Sequence, residues 1–310
     1  MRRHFGLPEP RLGPTALAVG SFDGVHLGHR CVLERLLASA RREDLISACI
    51  TFDPHPRCVL DPVHCPQQIT TLDERLSLIA GTGTEHAVVL AFTRQLAGLS
   101  ADEFMHRLLA SMELRRLVVG YDFALGRARA GNVDWLRDHG SHNGYSVEVV
   151  EPFRLGRDEV HSSDVRRLLT LGDMQAANRL LGREFAMSGL VERGDRIGTE
   201  IGWPTVNLAV PPGKLVPGHG IYAGWATTAY GEYEAAISVG YRPTFDKTDL
   251  RVEAYLLDFA GDLYQQRLEL RFVARLRDQV KFRDAAALSE QIGQDVAATR
   301  ALLRQSAGPD

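Results

Sequence analysis

Two hydrophobic rhythms share this chain, and they restrict its fold more than any other feature. Up to about residue 185, short β-rich apolar runs alternate with longer stretches of helical spacing, the rhythm of βαβ units around a parallel sheet. Strands are expected at Thr15 to Val19, Ser47 to Phe52, Ala87 to Phe92, Leu117 to Gly120 and Ser146 to Val150. Between them, Val32, Leu33, Leu36 and Leu37 repeat at helical spacing within Arg30 to Ala40, as do Phe104, Leu108 and Leu109 within Ala101 to Met112. A further helical segment, Asp173 to Leu181, precedes a change of period. Gly220 to Thr228, Tyr233 to Val239, Arg251 to Phe259 and Gln266 to Arg277 all read as strands. In the last, Leu268, Leu270, Phe272, Ala274 and Leu276 share one face, with Arg267, Glu269, Arg271 and Arg275 on the other, as in a half-buried antiparallel strand. A helix over Asp284 to Leu303 follows, with Leu288, Ile292, Val296 and Leu303 as its stripe and Asp284 as its N-cap. The expectation is a doubly wound α/β sheet domain over residues 1–185, then an all-β barrel or sandwich over 186–310 plugged by that helix.

The length of 310 residues agrees with two domains at about 150 residues each. Net charge is -3 from 36 basic and 39 acidic residues, so no positive field is present to hold a nucleic acid. No run reaches the ~20 apolar residues of a membrane span, and the basic segment Met1 to Arg11 lacks an apolar core like that of a secretory leader. A cytoplasmic protein without membrane partners is expected. Cys31, Cys49, Cys58 and Cys65 form no C-x-x-C pair and are expected as reduced thiols. A zinc cluster of His55, Cys58, His64 and Cys65 matches no standard ligand spacing, so ordinary thiols are preferred. Only Lys214, Lys247 and Lys281 are lysines. Phosphate bound in the first two thirds must therefore be held by Arg, His, hydroxyls or backbone N–H groups.

Doubly wound sheets bind ligands beyond the carboxyl ends of their strands. There the chain reads Gly20-Ser21-Phe22-Asp23-Gly24-Val25-His26-Leu27-Gly28-His29, opening the first helix. A helix N-terminus offers free N–H groups and a positive dipole end to an anion, and His-x-Gly-His can grip ATP phosphates without lysine. A glycine-rich turn with surface histidines is the plainer alternative. Thr51-Phe52-Asp53-Pro54-His55-Pro56 follows the second strand, Gly120-Tyr121-Asp122-Phe123 the fourth, and Ser162-Ser163-Asp164-Val165-Arg166 opens a later helix. Four polar clusters thus fall at one rim.

In the second half, Gly189, Gly194 and Gly198 lead into Trp203-Pro204-Thr205-Val206-Asn207. Glycines there let phosphates approach the backbone, while the Thr205 hydroxyl and the Asn207 amide oxygen are hard ligands suited to Mg²⁺. No Walker A motif is present. On the residues alone, a turn preceding a strand is the preferred reading of Pro204 to Asn207. Glu253 alternates with Val252, Ala254 and Leu256 and so points away from that apolar set, as a reactive or merely solvated carboxylate.

Together these motifs, from about Leu17 to Leu303, resemble the bifunctional bacterial riboflavin kinase/FMN adenylyltransferase (FAD synthetase) family. The resemblance implies a Rossmann-like nucleotidyltransferase domain followed by a small antiparallel β-barrel domain with a C-terminal helix. It implies ATP contacts at Gly20, Ser21, Phe22, Asp23, His26, Gly28, His29, Ser162, Ser163 and Arg166, and a flavin and nucleotide pocket shaped by Asp53, Pro54, His55, Pro56, Gly120, Asp122 and Phe123. In the barrel it implies ATP contacts at Gly189, Gly194, Gly198, Pro204, Thr205 and Asn207, Mg²⁺ on Thr205 and Asn207, and Glu253 as the base. His26 and His29 are the implied catalytic histidines. Riboflavin, ATP and FMN are the implied small-molecule partners, with FMN and FAD as successive products. The chain departs from the pattern at Asp164 and Thr199, with Arg193 and Arg196 close enough in sequence to replace the arginine usual at Thr199. Alternatives within this resemblance are a chain keeping one activity and a non-catalytic flavin-nucleotide binder.

Overall fold

A computed structural model of the chain describes residues 1–156, 158–194, 197–243 and 248–306. Arg196 lies outside the described residues. The chain divides into two compact units, Met1–Ser162 and Ser163–Asp310.

The first unit is built on six parallel strands: β1 (Arg2–Phe5), β2 (Leu12–Val19), β3 (Ile46–Asp53), β4 (His86–Ala91), β5 (Met112–Gly120) and β6 (Ser146–Val150). Their order is β1-β4-β3-β2-β5-β6, so the winding reverses between β2 and β5. Consecutive β2 residues serve opposite faces. Leu17 and Val19 pack with Phe104, Met105 and Leu108 of helix α3 (Ala101–Ser111). Ala16 and Ala18 pack with Leu33 and Leu36 of α1 (Leu27–Glu43) and Leu76 and Ile79 of α2 (Leu72–Gly81). Burial on both faces makes these strands nearly continuous apolar runs, as expected from the sequence. Helix α4 (Val133–Asn143) completes the unit.

Cys58 and Cys65 are joined by a disulfide, which corrects the expectation of four reduced thiols; Cys31 and Cys49 are free. The chain reverses between the short helix Pro56–Leu60 and the turn Pro62–His64, bringing the two Cα atoms within 4.2 Å. The bridge also consumes the sulfurs that the zinc alternative required. Among the described residues, no group of three or more His, Cys, Asp or Glu is placed to hold a metal ion.

The second unit begins with helices α5 (Ser162–Leu171, its first residue in the first unit) and α6 (Met174–Leu181). Asn178 of α6 donates to Phe272 O at 2.8 Å and accepts from Phe185 N at 2.8 Å, fastening this helix to the strands that follow. The strands are β7 (Phe185–Glu192), β8 (Val206–Leu208), β9 (Gly220–Thr228), β10 (Gly231–Pro243), β11 (Thr248–Leu256) and β12 (Arg267–Arg277). They close an antiparallel barrel in the order β7-β8-β11-β10-β9-β12. Leu268, Leu270, Phe272 and Ala274 of β12 point into it, the large ones each contributing on the order of 1.5–3 kcal/mol.

Helix α7 (Ala285–Ser306) packs against β9, β10 and β12. Asp284 caps it, accepting from Ala287 N at 2.8 Å. Its most buried line is Asp295, Thr299 and Leu303, whereas Leu288, Ile292 and Val296 are half-buried. The Arg277 guanidinium grips both Asp295 oxygens, at 2.7 and 2.6 Å, and turns that face toward the barrel. Among the described residues, no helix is long and apolar enough to cross a membrane.

Candidate active sites

At the carboxyl rim of the parallel sheet, the segment after β2 folds into a loop that leads directly into α1. His26 is the N-cap of this helix: its Nδ1 accepts from His29 N at 3.4 Å, and the two rings stack with centroids 3.7 Å apart. With Nδ1 used as an acceptor, a neutral His26 carries its proton on Nε2. Gly28 is a close approach, because an added Cβ would lie 3.2 Å from the His26 ring and 3.3 Å from Val160 O.

Phe22 and Asp23 are the part of this loop that turns inward. Both are buried, and the Asp23 carboxylate accepts from Ile69 N (3.1 Å), Thr70 N (3.0 Å) and the Thr70 hydroxyl (3.1 Å). Thr70 in turn accepts from Gly24 N at 3.0 Å. The Ser162 hydroxyl donates to Asp23 O at 3.2 Å. Asp23 thus stands as an anchor of the loop.

A cavity of about 550 Å³ opens beside it. Gly20, Ser21, Phe52, Pro56, Phe123 and Arg129 contribute to its wall. These residues come from three separate segments of the rim, and the lining is largely apolar with aromatic sides. Such a volume and lining suit a flat heteroaromatic ring. Asp53 ends β3, the Asp53-Pro54 bond is cis, and His55 caps the short helix that follows by accepting from Arg57 N at 3.2 Å. Gly120 ends β5, and Asp122 is exposed, its carbonyl accepting from Arg129 at 2.6 Å. Ser163 and Arg166 lie on α5, in the second unit.

In the barrel, strand register performs the assembly. Glu253 of β11 lies opposite Asn207 of β8 on one side and Ser238 of β10 on the other. Val252, Ala254 and Leu256 are buried while Glu253 and Tyr255 are half-buried on the opposite face, as the alternation predicts. The Thr205 hydroxyl donates to Glu253 Oε2 at 3.5 Å. Asn207 Oδ1 is buried and, among the described residues, has no hydrogen-bond partner. Gly194 is required nearby, since an added Cβ would run into the Asn207 amide, and at Gly198 it would run into Trp203 O. At Gly189 it would meet Ala209 O. Thr205, Pro204, Gly194 and Thr199 contribute to the wall of a second cavity, of about 430 Å³, together with Arg193, whose guanidinium lies 4.8 Å over the Tyr264 ring. Trp203 donates to the Ser289 hydroxyl at 2.9 Å and meets Tyr255 edge-on at 5.2 Å, tying this loop to α7.

The chain matches the FAD synthetase model over residues 9–164 and the riboflavin kinase model over 181–303. A bifunctional riboflavin kinase/FMN adenylyltransferase of Pseudomonas fluorescens is 36% identical over 93% of each chain, and one of Listeria monocytogenes is 32% identical over 92% of this chain and 91% of the relative. The chain belongs to the bifunctional riboflavin kinase/FMN adenylyltransferase family. A crystal structure described as a macrolide-efflux protein from Streptococcus pneumoniae shares its architecture, with a TM-score of 0.86 at 28% identity over 95% of both chains.

Within this family frame the rim loops fall in the FAD synthetase segment, and the Thr205, Asn207 and Glu253 cluster in the riboflavin kinase segment. Sequence reasoning missed Arg75. It is fully buried on α2, donating to the Thr51 hydroxyl and Phe52 O at 2.9 Å each and to Gln68 Oε1 at 3.0 Å. Burial pushes its guanidinium down, opposed by the charges of Asp23 and Asp53. Its signal was a cation within the apolar stripe Leu72, Leu76 and Ile79. Arg193 with Tyr264 was also unmarked as a pair; 71 positions separate them, and only the closed barrel joins them.

Proposed function

We propose that residues 186–310 phosphorylate riboflavin with ATP to give FMN and ADP, and that residues 1–185 join FMN to the adenylyl group of ATP, giving FAD and pyrophosphate. The observation that carries the reading is the meeting of Glu253, Asn207 and Thr205, drawn together by register from distant parts of the sequence. Glu253 takes the proton of the riboflavin primary hydroxyl as that oxygen attacks the γ-phosphorus. The Thr205 hydroxyl holds the carboxylate in place. Thr205 and Asn207 would hold Mg²⁺, and they fit it: both present neutral hard oxygens, and the buried Asn207 Oδ1 lacks a partner among the described residues. Bound Mg²⁺ supplies neutralisation of phosphate charge. Arg193 offers its guanidinium to the nucleotide phosphates from the cavity wall.

For the second step, the cavity beside Phe52 and Phe123 receives the flavin ring. The FMN phosphate attacks the α-phosphorus in line, with no covalent protein intermediate, so catalysis consists of positioning and charge stabilisation. His26, His29 and the N-terminus of α1 serve the triphosphate. ATP as co-substrate places both steps in the cytoplasm, with the flavin passing through as substrate and product.

A pair of variants tests the division of labour. Glu253→Gln lowers FMN formation by about 10²- to 10⁴-fold and spares conversion of supplied FMN. His29→Ala lowers FAD formation by roughly 10²-fold and spares FMN formation. Equal loss of both activities in either variant contradicts the assignment.

A further inference from the structure

We propose that Arg75 is a positioning residue for adenylyl transfer, one buried guanidinium that sets both the geometry and the charge of the rim loops. This rests on the reading of that rim as the adenylyl-transfer site. Helix α2 is fixed at its start by a capping box in which Thr71 and Glu74 satisfy each other's backbone N–H groups. Arg75 follows at once, and its side chain bonds two segments directly, Thr51-Phe52 and Gln68, and a third, Ser21, through the Thr51 hydroxyl.

The Thr51 hydroxyl donates to Ser21 O at 2.8 Å. A hydroxyl has one proton, so toward Arg75 Nη1 this oxygen is an acceptor, and the relay runs one way: Arg75 to Thr51 to Ser21. The same Nη1 donates to Phe52 O, fixing the end of β3, where the chain leaves toward Asp53 and His55. Nη2 donates to Gln68, the residue before Ile69 and Thr70, whose N–H groups hold Asp23. Ser21 and Phe52 both belong to the wall of the 550 Å³ cavity. A displaced guanidinium therefore moves two loops of one site together.

Charge gives the residue its second effect. Asp23 and Asp53 both act electrostatically on Arg75, one from each rim loop. A polyphosphate arriving above two uncompensated carboxylates would be repelled, and the buried cation offsets them where solvent screening is weak. A residue that merely filled space there would be replaceable by methionine. One needed for charge alone would be replaceable by lysine, which lacks the planar fork.

The test uses the whole chain as wild type, Arg75→Met, Arg75→Lys and Thr51→Val, with ATP and Mg²⁺. FAD formation from FMN, riboflavin phosphorylation and thermal unfolding are measured on the same preparations. Wild type forms FAD; if it forms none, the reading of the rim fails before the role of Arg75 is reached. Arg75→Met loses about 10²-fold in kcat/KM for FAD formation, with KM for ATP raised and kcat lowered. Arg75→Lys restores KM for ATP but not kcat. Thr51→Val, which keeps the cation, lowers kcat and leaves KM for ATP near wild type. Riboflavin phosphorylation stays within about twofold throughout. The proposal is overturned if folded Thr51→Val and Arg75→Lys form FAD with wild-type KM and kcat, or if every loss tracks the unfolded fraction alone.

Discussion

Removing the Asp23 carboxylate separates a residue that touches ATP from one that holds the loop beneath it. The side chain is fully buried and accepts from two backbone N–H groups and one hydroxyl. In Asp23→Ala, the Ile69 and Thr70 N–H groups lose their acceptor in the interior, while the Thr70 hydroxyl keeps its bond from Gly24 N. An unsatisfied buried donor costs about 1–3 kcal/mol and water entering the space left by the carboxylate offsets part of it, so the expected loss is about 4 kcal/mol. In a unit of this size that lowers the unfolding midpoint by roughly 8 to 16 °C. Asp23→Asn keeps one acceptor oxygen and turns an NH₂ toward the other donors, for about half the loss. Calorimetry, with FAD formation followed well below the transition, measures both effects. If Asp23→Ala leaves the midpoint within about 1 °C while raising KM for ATP, Asp23 is a ligand contact and the anchoring argument is wrong.

Gly194→Ala places a methyl group against the Asn207 amide, so riboflavin phosphorylation falls by about 10-fold or more while FAD formation from FMN is retained; product analysis on the purified variant checks this. His4 and His86 meet at 3.0 Å between β1 and β4, and burial pushes both imidazoles below the usual 6.5, aided at each by Arg2 and opposed at His86 by Glu85. A base with a depressed folded pKa is stabilising while neutral, so this contribution is complete above about pH 6.5 and is lost as pH falls from there through the folded values. The wild-type unfolding midpoint should therefore drop more between pH 7.5 and pH 5.5 than that of His86→Leu; parallel curves would refute it.

The central strands were legible because burial on both faces leaves unbroken apolar runs, as in Ser47 to Phe52. Strand β1 was not: Arg2–Phe5 pairs with β4 through its backbone, and its sequence RRHF carries no apolar pattern. Strand β8 has only three residues, too few to show a period. The rim loops were legible because each motif is local and directly follows a strand. What anchors them was not, since Asp23 meets Ile69 and Thr70 across 46 and 47 positions, and Arg75 reaches Thr51 across 24. Likewise, Asn207 and Glu253 each stood out alone, but their adjacency is a product of barrel register. On α7 the apolar stripe was visible; Arg277 and Asp295, two charges that satisfy each other, chose a different face.

The most direct test of the account is to incubate the purified chain with riboflavin, ATP and Mg²⁺ and to resolve the flavins by chromatography over time. FMN should appear first and then convert to FAD, with ADP and pyrophosphate released in step. FMN that accumulates without FAD, or riboflavin left unchanged, would contradict the two-site account.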